Sequence, residues 1–224
     1  MKKHLVIAPH PDDETLGCGG IMLRARAAGE PVYWMIVTGI SEAAGFSADR
    51  VAKREREISA VAEAYGVAET IRIDLPPSTL DHVPLGDIIG AMAKAVSRIQ
   101  PTDIYLPYRS DAHSDHGVVF DAGSAVSKWF RYGSIMRVYS YETQSETDFD
   151  IAPDSPGFRP NVFVDISAQL EEKIRIAHLF EGEFAEHPFP RSERAMRALA
   201  TLRGTASGFD AAEAFMLLRE RMAS

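Results

Sequence analysis

The stretch APHPDDETLGCGG, residues 8–20, places His10 and three consecutive carboxylates, Asp12, Asp13 and Glu14, directly behind the apolar run HLVIA. Neighbouring acids repel one another unless water, hydrogen bonds or a cation offset the charge. A strand that ends in such a cluster must open onto a site where that compensation is available, and a bound cation supplies it most directly. His10 and Asp13 stand three positions apart, which lets both side chains converge on one ion in a turn or at a helix start. Adjacent side chains diverge, so Asp12 and Asp13 are expected to divide the work, one holding the ion and the other facing a bound water.

The rest of the chain says what kind of strand this is. HLVIA is followed by helical spacing over 21–29, PVYWMIVTG by a helix over 48–66, TIRIDL by one over 84–100 and TDIYLPY by one reaching about Trp129, after which IMRVYSYET reads as a strand again. Gly29 and Gly66 are helix stops, and Pro84 suits a first turn. Strands alternating with helices predict an α/β, Rossmann-like layered fold, with a mostly parallel sheet covered by helices on both faces through right-handed crossovers. NVFVDIS reads as a late strand, and 168–184, 191–204 and 210–222 as helices, giving a single domain over residues 1–224 with a helical C-terminal portion. Segments 39–49 and 143–160 are candidate rim loops.

In open α/β sheets ligands bind beyond the carboxyl ends of the strands, where His10 falls. A second cluster, DAHSDHG with His113, Asp115 and His116, follows TDIYLPY in the same way, so two loops of one rim can meet. Imidazole and carboxylate suit Zn²⁺ with one position left for water, and the same set can hold Fe²⁺. Spacing alone does not say which histidine of the second cluster is the ligand. Taken singly, His10 is a polar loop residue, PDD a turn or helix cap, and Ser114 or Asp115 a helix start. Two such clusters at two strand ends favour a shared ion instead.

Together, APHPDDETLGCGG and DAHSDHG resemble the motifs of the PIG-L/LmbE-like family of zinc-dependent de-N-acetylases. VTG after the second strand, RERE in the next helix and GFDAAEAF near the C-terminus extend the likeness over most of the chain, least across 143–160. The resemblance implies that His10, Asp13 and His116 bind zinc, that Asp12 is the general base, that His113 assists the transition state with Asp115 behind it, and that Arg54 touches substrate. It implies hydrolytic removal of an N-acetyl group from an amino sugar such as an N-acetylglucosamine conjugate, and allows a homo-oligomer. Some relatives have a tyrosine two positions before the first histidine of the later motif; Asp111 stands there in this chain, so that role is not carried over. Glu14 reads as a helix-start or supporting residue rather than a fourth ligand.

Composition narrows the alternatives. A chain of 224 residues, 46% hydrophobic and 25% charged, can bury a real core. Cys18 is the only cysteine, which excludes an intrachain disulfide and a cysteine-based zinc site. A net charge of −8 argues against nonspecific nucleic-acid binding. The opening MKKHLVIAPH is too short in its apolar part for a secretory signal or a membrane span, so a cytoplasmic location is expected. Clustered Asp and His also serve metal-dependent phosphoesterases, the leading alternative. A non-catalytic nucleotide-binding protein is a third reading, but GCGG lacks the G-x-G-x-x-G spacing, and close helix packing explains the glycines better. Arg191, Arg194 and Arg197 are expected on a solvated helix face.

Overall fold

The computed structural model describes residues 1–222. One sheet contains β1 (His4–Ala8), β2 (Val32–Thr38), β3 (Glu69–Leu75), β4 (Asp103–Pro107), β5 (Arg137–Tyr141), β6 (Val162–Asp165) and β7 (Ala212–Glu220), in the order β3-β2-β1-β4-β5-β7-β6. Between them run helices α1 (Asp13–Ala27), α2 (Ala48–Tyr65), α3 (Leu85–Ile99), α4 (Ser114–Ala125), α5 (Leu170–Ala177) and α6 (Glu193–Thr205). Strands β1 to β5 pair in parallel, and β7 runs antiparallel to both β5 and β6. Among the described residues no helix is long and apolar enough to cross a membrane.

The period of two along a strand separates two cores. Leu5 and Ile7 of β1 pack with Ile88 and Met92 of α3 and Val119 of α4. Val6 and Ala8 pack on the other face with Cys18 and Met22 of α1, Ile58 and Val61 of α2 and Ile176 of α5. Both faces are covered, which is why the central strands read as continuous apolar runs.

The structure departs from the sequence reading in two places. Helix α1 begins at Asp13 instead of near residue 21, so the acidic motif is itself the first turn. Gly17, Gly19 and Gly20 then lie inside a helix, where glycine is a poor former. Close approach accounts for all three: a Cβ would fall 2.2 Å from the Tyr141 ring, 2.6 Å from the Tyr65 hydroxyl and 2.3 Å from Ile166, respectively.

The second departure is residues 210–222, expected to be helical, which instead form β7. Its Ala, Glu, Leu, Met and Arg favour helix, but tertiary pairing overrides propensity. The strand fills the gap between β5 and β6, and the buried Glu213 carboxylate accepts the N–H groups of Gly20 (2.6 Å) and Ile21 (2.8 Å) and the Lys173 ammonium (2.7 Å). The helical C-terminal portion is therefore α5 and α6 alone.

This topology fixes where chemistry can occur. β1 and β4 are neighbours, while β2 lies beyond β1 on one side and β5 beyond β4 on the other. Such a switch in winding direction opens a crevice at the carboxyl ends of the two strands. Both histidine-bearing segments leave the sheet at that crevice.

Gly17→Ala tests the packing argument. The new methyl would meet the buried Tyr141 ring and the Glu142 carbonyl, 2.9 Å away. Overpacking of this kind costs about 1–3 kcal/mol, so the urea midpoint should fall; an unchanged midpoint would show that α1 can shift away from the sheet.

Candidate metal centre and active site

The chain leaves β1 through Pro9 and His10 and turns at once into α1. The His10 N–H donates to Asp13 Oδ2 at 2.8 Å, folding the ligand carboxylate back toward the imidazole. From β4 the chain runs to His113, which caps α4 and leaves Asp115 and His116 in its first turn. Ser114 and Asp115 do start a helix, and that helix start is also the site. Asp13, Asp115 and His116 are buried, and His10 is partly so.

His10 Nδ1 lies 3.4 Å from Asp13 Oδ2, and His116 Nε2 lies 3.3 Å from the same oxygen. All three residues offer ligand atoms within 4.8 Å of one another. A tetrahedral ion with bonds of about 2.0–2.1 Å needs ligand atoms about 3.3–3.4 Å apart. His116 Nε2 and Asp13 Oδ1 are buried and have no hydrogen-bond partner in the protein, as expected of atoms held in reserve for an ion. Each histidine turns its other nitrogen to a carboxylate: His116 Nδ1 to Asp111 Oδ2 at 2.7 Å, and His10 Nε2 to Asp115 Oδ2 at 2.9 Å. That backing fixes tautomer and ring orientation at metal sites. The donor set thus fits a divalent ion such as zinc.

A second group of three, His10, His113 and Asp115, also meets the distance condition. Asp115 is already committed there, since it accepts the N–H groups of Ser78 (2.7 Å) and Leu80 (3.2 Å) as well as facing His10. Burial would raise its pKa, but these bonds hold it below the usual value.

Electrostatics follow the geometry. Burial alone would lower both ligand histidines; Asp115 and Asp13 raise His10 to about 9, and Asp13 and Asp111 raise His116 to about 10. Asp13 is held well below the ordinary carboxylate range because His116 and His10 outweigh its burial. Asp12 behaves oppositely: burial lifts it to about 7 although the Arg191 guanidinium opposes the rise. Arg191 Nη1 lies 2.6 Å from Asp12 Oδ2. Asp12 also has φ 133° and ψ −28°, a conformation that costs a non-glycine residue about 1–3 kcal/mol and that collects at functional sites.

His113 corrects one expectation. Its Nδ1 accepts the Asp115 backbone N–H at 3.1 Å, while the Asp115 carboxylate is 3.9 Å away and engaged with His10. Burial and the neighbouring His10 lower its pKa. With Nδ1 accepting a backbone N–H, His113 carries a proton on Nε2 and its charged form is disfavoured, and Asp115 stands behind His10 rather than behind His113.

Asp12, His10 and His113 line a cavity of about 310 Å³, together with Arg54, Arg191 and Glu146. Arg54 sits in its wall, donating to the Pro11 carbonyl (3.4 Å) and paired with Glu57 and Glu183. Arg191 was expected on a solvated face and is instead in the site, bridging Asp12, Ser145 Oγ (2.7 Å) and Glu146 (3.4 Å). It precedes α6, capped by Ser192, and so does not belong to the helical stripe that suggested exposure. Arg197 fits that expectation, pairing with Glu171 and Glu193 at the surface. The signal for Arg191 was the serine cap that follows it.

Comparison with known proteins finds a matching family and several similar folds. A profile of the PIG-L family, described as GlcNAc-PI de-N-acetylase, matches residues 5–127. The chain is 25% identical over 232 aligned positions to a diacetylchitobiose deacetylase from Thermococcus kodakarensis, covering 95% of this chain and 82% of that protein. Its fold is similar to a conserved protein from Thermus thermophilus (TM-score 0.78, 24% identity, 100% and 98% of the two chains covered). It is also similar to GalB, the 4-carboxy-2-hydroxymuconate hydratase of Pseudomonas putida (TM-score 0.76, 18% identity, 100% and 99% covered). Fold likeness at these identities spans different chemistries.

Two outcomes test the centre. Asp111→Asn removes the carboxylate behind His116 and should weaken metal affinity by about 10–100-fold with the fold intact, read by competition with a chelator; unchanged affinity would remove Asp111 from the centre. With pKa values raised to about 9 and about 10, His10 and His116 each carry a proton at neutral pH in the ion-free protein. Each must release it to become a ligand, so loading with Zn²⁺ at pH 7 should free about two protons and affinity should climb as pH rises. Calorimetry in buffers of different ionisation heat measures the release, and none would show that the two histidines are already neutral in the ion-free protein.

Proposed function

Because this chain belongs to the PIG-L family, we propose that it is a zinc-dependent hydrolase that removes the N-acetyl group from an amino sugar, such as an N-acetylglucosamine conjugate. The observation that carries this reading is the cage of His10, Asp13 and His116, with a buried unpartnered nitrogen, beside an aspartate held near neutrality. His10, Asp13 and His116 would hold the ion, which when bound would lower the pKa of water to about 7 and polarise a carbonyl.

The chain's own residues supply the rest. Asp12, at the cavity and raised by its burial in the ion-free protein, is the carboxylate placed to take a proton from the attacking water. The His113 Nε2–H is a neutral donor for the carbonyl oxygen as it becomes anionic, and needs no positive charge for that work. The departing nitrogen needs a proton, and protonated Asp12 and His113 are the donors that line the cavity. Arg54 and Arg191 border the cavity and are the candidates to contact sugar hydroxyls.

The phosphoesterase alternative is disfavoured by the ligand arrangement. Both candidate clusters among the described residues share His10, which suits one ion rather than the pair common in phosphoryl transfer. The diacetylchitobiose deacetylase relative supports an N-acetylated sugar as substrate.

Protein purified without chelator should carry about one zinc per chain, and should release acetate and free amine in equal amounts from a panel of N-acetylglucosamine conjugates. Asp12→Asn should keep the metal and lower kcat by about two to four orders of magnitude, as expected of a lost general base. Near-native turnover would rule out that role, and release of phosphate without acetate would establish the phosphoesterase.

A further inference from the structure

Glu14 is the acid of the opening motif that the reaction above leaves unused. It is fully buried at 0% exposure and belongs neither to the ligand set nor to the cavity wall. Its two oxygens are both engaged: Oε2 accepts the Asp12 backbone N–H at 3.0 Å, and Oε1 takes the Thr15 hydroxyl at 2.6 Å.

Asp12 occupies the cap position of α1. An aspartate there ordinarily turns its carboxylate back to accept a first-turn N–H. Asp12 makes no such bond, and its carboxylate points to Arg191 at the cavity. In a capping box two exchanges are made: cap side chain to helix N–H, and an acidic side chain of the first turn back to the cap N–H. Only the second is present, made by Glu14. The Asp12 backbone, at φ 133°, lies outside the regions comfortable for an L-residue, so it persists only while its surroundings dictate it. Other bonds on this peptide are the Leu16 N–H to the Asp12 carbonyl, at 2.9 Å, and the longer Asp13 N–H to the His10 carbonyl, at 3.4 Å.

We propose that Glu14 is a positioning residue for Asp12: by accepting the Asp12 N–H it fixes the backbone turn that aims the Asp12 carboxylate into the cavity. This rests on Asp12 being the proton acceptor. Glu14 touches neither substrate nor ion, and its action is transmitted through one peptide group.

A double-mutant cycle on the zinc-loaded enzyme tests it. Glu14→Met keeps length and burial but removes the acceptor, and should lower kcat by about 10–100-fold, the scale of a misplaced catalytic group, with KM and zinc content unchanged. Glu14→Gln retains an acceptor and should stay within about threefold of the parent. In an Asp12→Asn background Glu14→Met should alter kcat by less than about twofold, because the group it positions is already disabled. Independently of turnover, hydrogen exchange at the Asp12 amide should accelerate in Glu14→Met and not in Glu14→Gln. Native kcat in Glu14→Met, or an equal loss with and without Asp12, would overturn the proposal.

Should Glu14→Met fail to fold, Thr15→Val removes the bond on the other carboxyl oxygen. It should lower kcat by about three- to tenfold, again only where Asp12 is intact. A native rate, or the same loss in both backgrounds, would overturn the proposal here too. If Asp12→Asn itself turns over normally, the assignment of the base fails; if it is inactive while Glu14→Met is native, only the positioning role fails.

Discussion

Asp13 is 1% exposed, and a charged carboxylate taken that far from water needs hydrogen bonds and opposite charge around it. Everything around the β1–β4 crevice answers that demand. In the protein alone, protonated His10 and His116 supply the charge, and each is steadied by its own carboxylate, Asp115 or Asp111. Three carboxylates and two imidazoliums leave the cluster one negative charge in excess. Neutral imidazoles around one divalent ion leave the same excess. Two protons and one ion are electrostatically interchangeable here, so the cage need not rebuild itself to load.

Much of this was legible because the relevant signals are local. His10 and Asp13 lie within one turn, as do His113 and His116, and both turns follow apolar runs whose parallel pairing the alternation of elements already implied. What escaped was set by contacts distant in sequence. Residues 212–220 have helix-forming composition and became a strand because an open slot between β5 and β6 and two N–H groups of α1 awaited it. The partner of Asp115 could not be read from its neighbour His113, since the choice is made by Ser78 and Leu80, which arrive from the loop after β3. Arg191 was hidden by a periodicity that ignored the serine after it.

Asp12 shows how the two kinds of information combine. Its place in the motif is local, yet its properties come from elsewhere: burial lifts its pKa to about 7, Arg191 from just before α6 restrains the rise, and Glu14 holds its peptide. The two adjacent aspartates therefore titrate in opposite directions. Asp13 is kept charged by imidazoles, and Asp12 is raised to about 7 by its burial.

The PIG-L match stops at residue 127, shortly after α4. Every group of the ion cage and its backing carboxylates lies before that boundary, whereas Glu146, Glu183 and Arg191 enter the crevice from beyond it. The molecule thus builds its ion cage before that boundary and part of its cavity wall after it. A change in the segments that carry Glu146, Glu183 and Arg191 would therefore reshape the cavity wall without touching the ligands of the cage.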